Sequence, residues 1–104
     1  MSRYVFSTTV PGPFEGAVQR TAEALAAEGF GVITTIDVAK TLGEKLGVHH
    51  APYVILGACN PRYAHQALAV DPDLGALLPC NVVLRARDDG RVDGSTSFNG
   101  KFSR

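Results

Sequence analysis

The sequence predicts an α+β domain built as a two-layer sandwich, with helices packed on a mixed β-sheet. Strand-like and helix-like patterns alternate along the chain, and an Asp89-Gly90 pair near its end predicts a hairpin. Helices that cross over between strands require parallel pairs, whereas a hairpin requires an antiparallel pair. A length of 104 residues suits one domain, spanning 1–104. The expected order is β-α-β-α-β-α-β-β, closed by a C-terminal hairpin.

The first half of the chain carries two strand–helix units. Tyr4–Val10 alternates aromatic or β-branched residues with small polar ones, which is typical of a strand. Pro13 is expected at the first position of an amphipathic helix. Gly31–Val38 is rich in β-branched residues and predicts a second strand. Asp37 is expected to cap the following helix, which Gly47 ends.

The second half begins with the most apolar segment, Tyr53–Cys59, which predicts a central strand buried on both faces. Asn60 and Asp71 each precede a proline, a pattern that predicts a helix start. Cys80–Arg85 is the fourth predicted strand, and Arg91–Phe98 should return beside it. Residues 93–104 form an atypical tail, in which small and polar residues replace branched apolar ones.

Composition argues against some classes of partner and of location. The chain has 10 Lys and Arg residues and 10 Asp and Glu residues, so its formal net charge is zero. Long-range attraction to nucleic acid or to an anionic membrane is therefore not expected. No apolar run approaches the roughly 20 residues of a membrane-spanning helix, and no signal-peptide core is present. The chain has two cysteines, which are too few for a disulfide scaffold. It is therefore expected to be cytoplasmic, with both thiols free.

Two Cys-Asn pairs provide the strongest candidate site. One pair ends a predicted strand and the other begins the next strand, and strand ends are where open α/β sheets commonly place sites. Cys59 also precedes a helix N-terminus, where backbone N–H groups favour a thiolate. The candidate ligand-binding residues are therefore Cys59, Asn60, His65, Cys80 and Asn81.

Each of these residues has a second interpretation. Cys59, His65 and Cys80 are ligand types for a soft metal ion such as zinc or copper, but their spacing matches no zinc motif. Buried cysteines also act as small hydrophobes. His49 and His50 are expected in a solvated loop. The sequence contains no G-x-G-x-x-G, phosphate-loop or G-x-S-x-G motif, so it predicts no catalytic residue and identifies no cofactor.

Several ordered stretches carry a resemblance to a known family: Ala27–Val32 with Ile36–Val38, Pro52–Pro61 with Ala64-His65, and Leu77–Val83. From Tyr4 to Val92 the chain resembles the bacterial and archaeal domain-of-unknown-function family 302. The resemblance implies a cytoplasmic α+β domain that forms a homodimer and has no established biochemical function. It also places both Cys-Asn pairs and the Ala-His in the family signature. From Asp93 onward this chain departs from the family pattern.

Three functional hypotheses follow. In the first, the domain is a non-enzymatic module that binds a small molecule or a metal ion near the two Cys-Asn pairs. In the second, it is a thiol-based redox enzyme or sensor that uses Cys59. In the third, it is a structural or partner-binding dimeric subunit, in which both cysteines serve packing alone.

Overall fold

The structure is a computed structural model that describes residues 6–96. It confirms the α+β class and the predicted order of elements. A 3₁₀ helix, Pro72–Leu77, precedes the fourth strand. The strands and α-helices are β1 (Phe6–Val10), α1 (Phe14–Ala27), β2 (Gly31–Asp37), α2 (Val38–Leu46), β3 (Tyr53–Cys59), α3 (Pro61–Val70), β4 (Cys80–Ala86) and β5 (Val92–Thr96).

The predicted ends of the outer strands are only partly described. Tyr4 and Val5 at the start of the chain, and Ser97 and Phe98 at its end, lie outside the described residues. Asp93–Thr96, the beginning of the atypical tail, belongs to β5 and pairs with both β1 and β4. The divergent sequence therefore still supplies one strand of the sheet.

The sheet has the order β1-β5-β4-β3-β2, and its four strand pairs are all antiparallel. The expectation of a mixed sheet with parallel pairs is therefore wrong for the described residues. β1 and β2 do run in the same direction, but they are the two edge strands, and the other three lie between them. α2 and α3 each connect neighbouring antiparallel strands, so neither produces a parallel pair.

Local capping signals are confirmed. The Asp37 side chain accepts a hydrogen bond from the Lys40 amide at 2.9 Å, and Gly47 ends α2 in the left-handed region with φ 68°. Asn60 caps α3 by accepting from the first-turn amides. Pro13 differs from expectation, because it lies just before the first residue of α1 rather than at it.

The hydrophobic core lies on one face of the sheet, beneath α1. β3 alternates along its length, with Val54, Leu56 and Ala58 buried on this face. It is not the central strand that the sequence predicts, because β4 occupies the middle of the sheet and β3 adjoins edge strand β2. The buried core comprises Ala17, Leu25, Phe30, Val54, Leu56, Ala58, Val82, Leu84 and Val92.

The opposite face of the sheet, here called the open face, is less covered. Register places two rows of side chains across it, because directly opposed residues share a face. One row is polar and runs across Tyr53, Arg85, Asp93 and Thr9. The neighbouring row is apolar at one end and runs across Ile36, Ile55, Val83 and Ser95.

Candidate functional site

The two Cys-Asn pairs lie at the same end of the sheet, as predicted, but their thiols point to opposite faces. Cys80 is directly opposite Ala58, which is fully buried on the core face. Cys59 follows Ala58 along β3, so strand alternation directs it to the open face. Both cysteines are free and half-buried.

The environment of Cys80 favours the neutral thiol. Its burial, and secondarily the nearby Cys59, raise the pKa of the Cys80 thiol above its ordinary value. At the α3 N-terminus, the side-chain oxygen Oδ1 of Asn60 accepts hydrogen bonds from the amides of Arg62 and Tyr63 at 3.0 and 3.2 Å. Those two amides are therefore engaged by the cap and do not serve the thiol of Cys59.

The structure does not assemble the predicted metal ligands. Cys80 packs against the core, Cys59 lies on the open face and His65 is exposed on α3. Within residues 6–96, no group of three or more His, Cys, Asp or Glu side chains could hold a metal ion. The set of Cys59, His65 and Cys80 does not form such a group among these residues. Asn81 is exposed on β4, on the same face as Cys59.

A cleft of about 830 Å³ opens at the other end of the sheet. The cleft and the Cys-Asn pairs lie at opposite ends of β3. The strand from Tyr53 to Cys59 is about 20 Å long at roughly 3.3 Å per residue. The start of α1, the start of α2 and the segment leading into β3 form its walls. They contribute Pro13, Phe14, Glu15, Val18, Asp37, Ala39, Lys40, His49, His50, Pro52, Tyr53 and Val54.

Both histidines of the segment before β3 are exposed, in keeping with the expected solvated loop, and both also line this cleft. His50 Nδ1 lies 2.7 Å from the carbonyl oxygen of Ala51. The His50 ring also meets the Tyr53 ring edge-on, with centroids 5.8 Å apart. The segment therefore holds an oriented imidazole at the wall of the cleft.

The sequence did not reveal the remaining walls. Phe14 and Val18 come from α1, and Lys40 comes from α2, so the cleft joins positions that are far apart along the chain. Phe14 and Val18 belong to the segment after Pro13 that the sequence predicts as an amphipathic helix. No local spacing links them to His49 or His50. Of the residues at this cleft, only the two adjacent histidines could have been identified from the sequence as candidates for a site.

A network of charges lies on the open face and the β4–β5 hairpin. Asp93 accepts a hydrogen bond from the Thr9 hydroxyl at 2.7 Å and pairs with Arg85 and Arg87 at 3.0 and 3.3 Å. The Thr9 hydrogen bond and then the Arg87 contacts lower the pKa of Asp93. Hydrogen bonds from Arg91 lower the pKa of Asp89 to about 2. These contacts join β1, β5 and β4 at one end of the sheet.

We expect acid to weaken the fold through Asp93. Its pKa is lower in the folded than in the unfolded chain, so the stabilisation is complete above the ordinary Asp value of 3.8. As the pH falls below that value, the unfolded chain takes up the proton first and the free energy of unfolding decreases. Urea unfolding at a series of pH values should show this decrease weakened in Asp93→Asn. Asp88→Asn is the control, since Asp88 makes no ion pair among the described residues, and an unchanged slope in Asp93→Asn would contradict the assignment.

Comparison with known proteins agrees with this fold. The model of the family described as "Domain of unknown function DUF302" matches residues 6–96. The chain belongs to the DUF302 family. The fold of this DUF302 chain is similar to the crystal structure of an uncharacterized conserved DUF302 protein from Bacillus stearothermophilus, with a TM-score of 0.83 and 30% identity. That match covers 92% of this chain and 74% of the other.

No functionally curated protein matches this DUF302 chain. Among residues 6–96, no helix has both the length and the apolar character needed to cross a membrane. The resemblance noted in the sequence is confirmed at the level of the family.

Proposed function

We propose that this DUF302 domain binds a small organic molecule in the cleft between α1, α2 and the segment before β3, without catalysing a reaction. The observation that carries the proposal is the cleft itself. Its volume of about 830 Å³ falls within the range of about 300–1,000 Å³ that ligand pockets occupy. Phe14, Val18 and Val54 supply apolar walls, and Lys40 and His50 add polar groups.

The composition of the walls favours a ligand with an apolar body and a polar edge. Apolar surface provides most of the affinity for such a molecule, and a few polar groups fix its orientation. The Asp37 carboxylate is engaged with the Lys40 amide, so it contributes less to binding than a free acid would. Glu15 and Lys40 place one charge of each sign on the walls.

This proposal moves the ligand site away from the two Cys-Asn pairs. The cleft walls contain none of Cys59, Asn60, His65, Cys80 and Asn81. The redox hypothesis has less support, because strand alternation directs the two thiols to opposite faces of the sheet. A small-molecule site therefore fits the cleft better than the cysteine end.

Filling the cleft should weaken binding. We expect a library of naphthol-sized aromatic fragments, with 2-naphthol as the reference probe, to shift amide NMR signals of Phe14, Lys40 and Tyr53. Ala39→Trp places a large ring at a wall of the cleft and should weaken affinity about tenfold or more, equivalent to about 1.4 kcal/mol. Ala69→Trp, on the exposed surface of α3, is the matched control. Shifts centred on Cys59 and Cys80, or full binding by Ala39→Trp, would contradict the proposal.

We also propose that the domain acts as a homodimer in the cytoplasm and that the open face contacts the second copy. Ile36 is 51% exposed on this face, beside half-buried Ile55 and Val83. The neighbouring Arg85 and Asp93 neutralise each other within the chain, so two copies of the face can meet without like-charge repulsion. Free thiols on both cysteines agree with a reducing compartment.

An acidic substitution on the open face should dissociate this dimer. Ile36→Asp would place an unpaired carboxylate in the contact, and we expect light scattering after size exclusion to report a monomer. Val70→Asp introduces the same group at a position that is 82% exposed on α3, and it should leave the mass unchanged. A dimer that survives in Ile36→Asp, or a monomeric parent protein, would contradict the proposal.

A further inference from the structure

We propose that His50 selects, among ligands of the cleft, those that bring a hydroxyl or N–H hydrogen-bond donor to its Nε2 atom. This inference rests on the proposed ligand-binding function, because it assigns the chemical class that the same cleft accepts. It concerns a residue that positions and selects a ligand, with no bond made or broken.

The hydrogen bond at Nδ1 fixes the tautomer of His50. Nδ1 lies 2.7 Å from the Ala51 carbonyl oxygen, and a carbonyl oxygen can only accept. Nδ1 therefore carries the hydrogen. In a neutral imidazole the other nitrogen is then an acceptor, which leaves Nε2 with a lone pair to offer a ligand.

The surroundings hold the ring in this orientation. The Tyr53 ring packs edge-on against it at a centroid distance of 5.8 Å and an interplanar angle of 75°. Both residues line the cleft. Since Nδ1 is engaged with the backbone, a half-turn of the ring, which would put Cδ2 in the place of Nδ1, would break the bond to Ala51.

The charged groups of the cleft do not duplicate this role. Lys40 can only donate through its ammonium group, and the Asp37 carboxylate is engaged with the start of α2. Glu15 offers a charged acceptor from α1, and it would prefer a cationic donor. His49 and Tyr53 also line the walls. His50 is the wall residue whose neutral acceptor is fixed by a backbone contact.

A matched pair of probes tests the inference. 2-Naphthol carries a hydroxyl donor, whereas 2-methoxynaphthalene has the same ring system and can only accept. At about pH 8 we expect 2-naphthol to bind about threefold to tenfold more tightly in amide NMR titrations. His50→Phe keeps a ring beside Tyr53 but has no acceptor, and it should remove the preference.

Two further variants make the result specific. His50→Gln retains an acceptor oxygen and should recover part of the preference, and His49→Phe should keep the parental preference. Nitrogen NMR of the parent protein should show hydrogen on Nδ1 of His50, and a dominant Nε2–H form would overturn the inference. Equal binding of both probes would overturn the inference alone. Failure of every fragment to shift the cleft signals would instead remove the proposed function and the inference together.

Discussion

Leu56→Ala is expected to lower the free energy of unfolding by about 2–5 kcal/mol, which is the range for removing a fully buried leucine side chain. Leu56 is 2% exposed at the middle of β3, on the face covered by α1. Its removal leaves a cavity beside Leu84, which is 1% exposed on the adjoining strand. Such a loss is a large part of the 5–15 kcal/mol that stabilises an ordinary domain.

Urea unfolding followed by circular dichroism measures this loss. Leu46→Ala makes the identical chemical change at a position that is 69% exposed on α2, so it should change the free energy of unfolding by less than about 0.5 kcal/mol. The slope of the transition should stay the same in both variants, because the area exposed on unfolding changes little. Equal losses in the two leucine variants would show that β3 does not bury Leu56 as described.

The helix boundaries could be predicted because their causes are local. Asp37 and Asn60 bind amides two or three residues further along the chain, so the sequence alone contains both partners. Gly47 and Gly90 likewise adopt positive φ within a single turn. For these helix ends and turns, the interacting groups all lie within a short stretch of sequence.

Strand pairing could not be predicted, because its causes lie far apart. The pairing of β1 with β5 joins residues such as Thr9 and Asp93. Nothing in the sequence of either segment indicates which strand it pairs with. The alternation of helices and strands is equally compatible with parallel neighbours. Here α1 connects the two outermost strands, and the hydrophobic face that it covers includes β2, β3 and β4. The sequence pattern therefore could not predict that all neighbouring strands are antiparallel.

In the candidate site, the placement of side chains also depends on strand pairing and could not be predicted from the sequence. The sequence placed Cys59 and Cys80 correctly at neighbouring strand ends, but whether their side chains meet depends on register. Pairing Cys80 with Ala58 rather than with Cys59 sends the two thiols to opposite faces. His50 illustrates the converse case, since a loop residue without any motif gains a role from the α1 and α2 walls beside it.

A close backbone contact lies just before the start of α1, and this contact gives the second large effect. A Cβ atom on Gly12 would fall on the carbonyl oxygen of Gly90, far inside van der Waals contact. Neither partner can yield by rotating a side chain, because the obstacle is backbone. Arg20 further restrains this turn by donating to the Pro11 carbonyl at 2.7 Å. The 11–13 turn and the β4–β5 hairpin must therefore move apart when Gly12 gains a side chain.

Gly12→Ala is thus expected to lower the free energy of unfolding by about 1–3 kcal/mol, as overpacking does elsewhere. It should also weaken 2-naphthol binding, because Pro13 and Phe14 follow directly in the chain and line the cleft. Gly31→Ala is the matched control, since a Cβ there meets no atom within 4 Å and should cost little stability. Urea unfolding and NMR titration of both variants measure the two effects. Full stability in Gly12→Ala would show that the two loops do not touch, whereas lost stability with unchanged binding would separate the turn from the cleft.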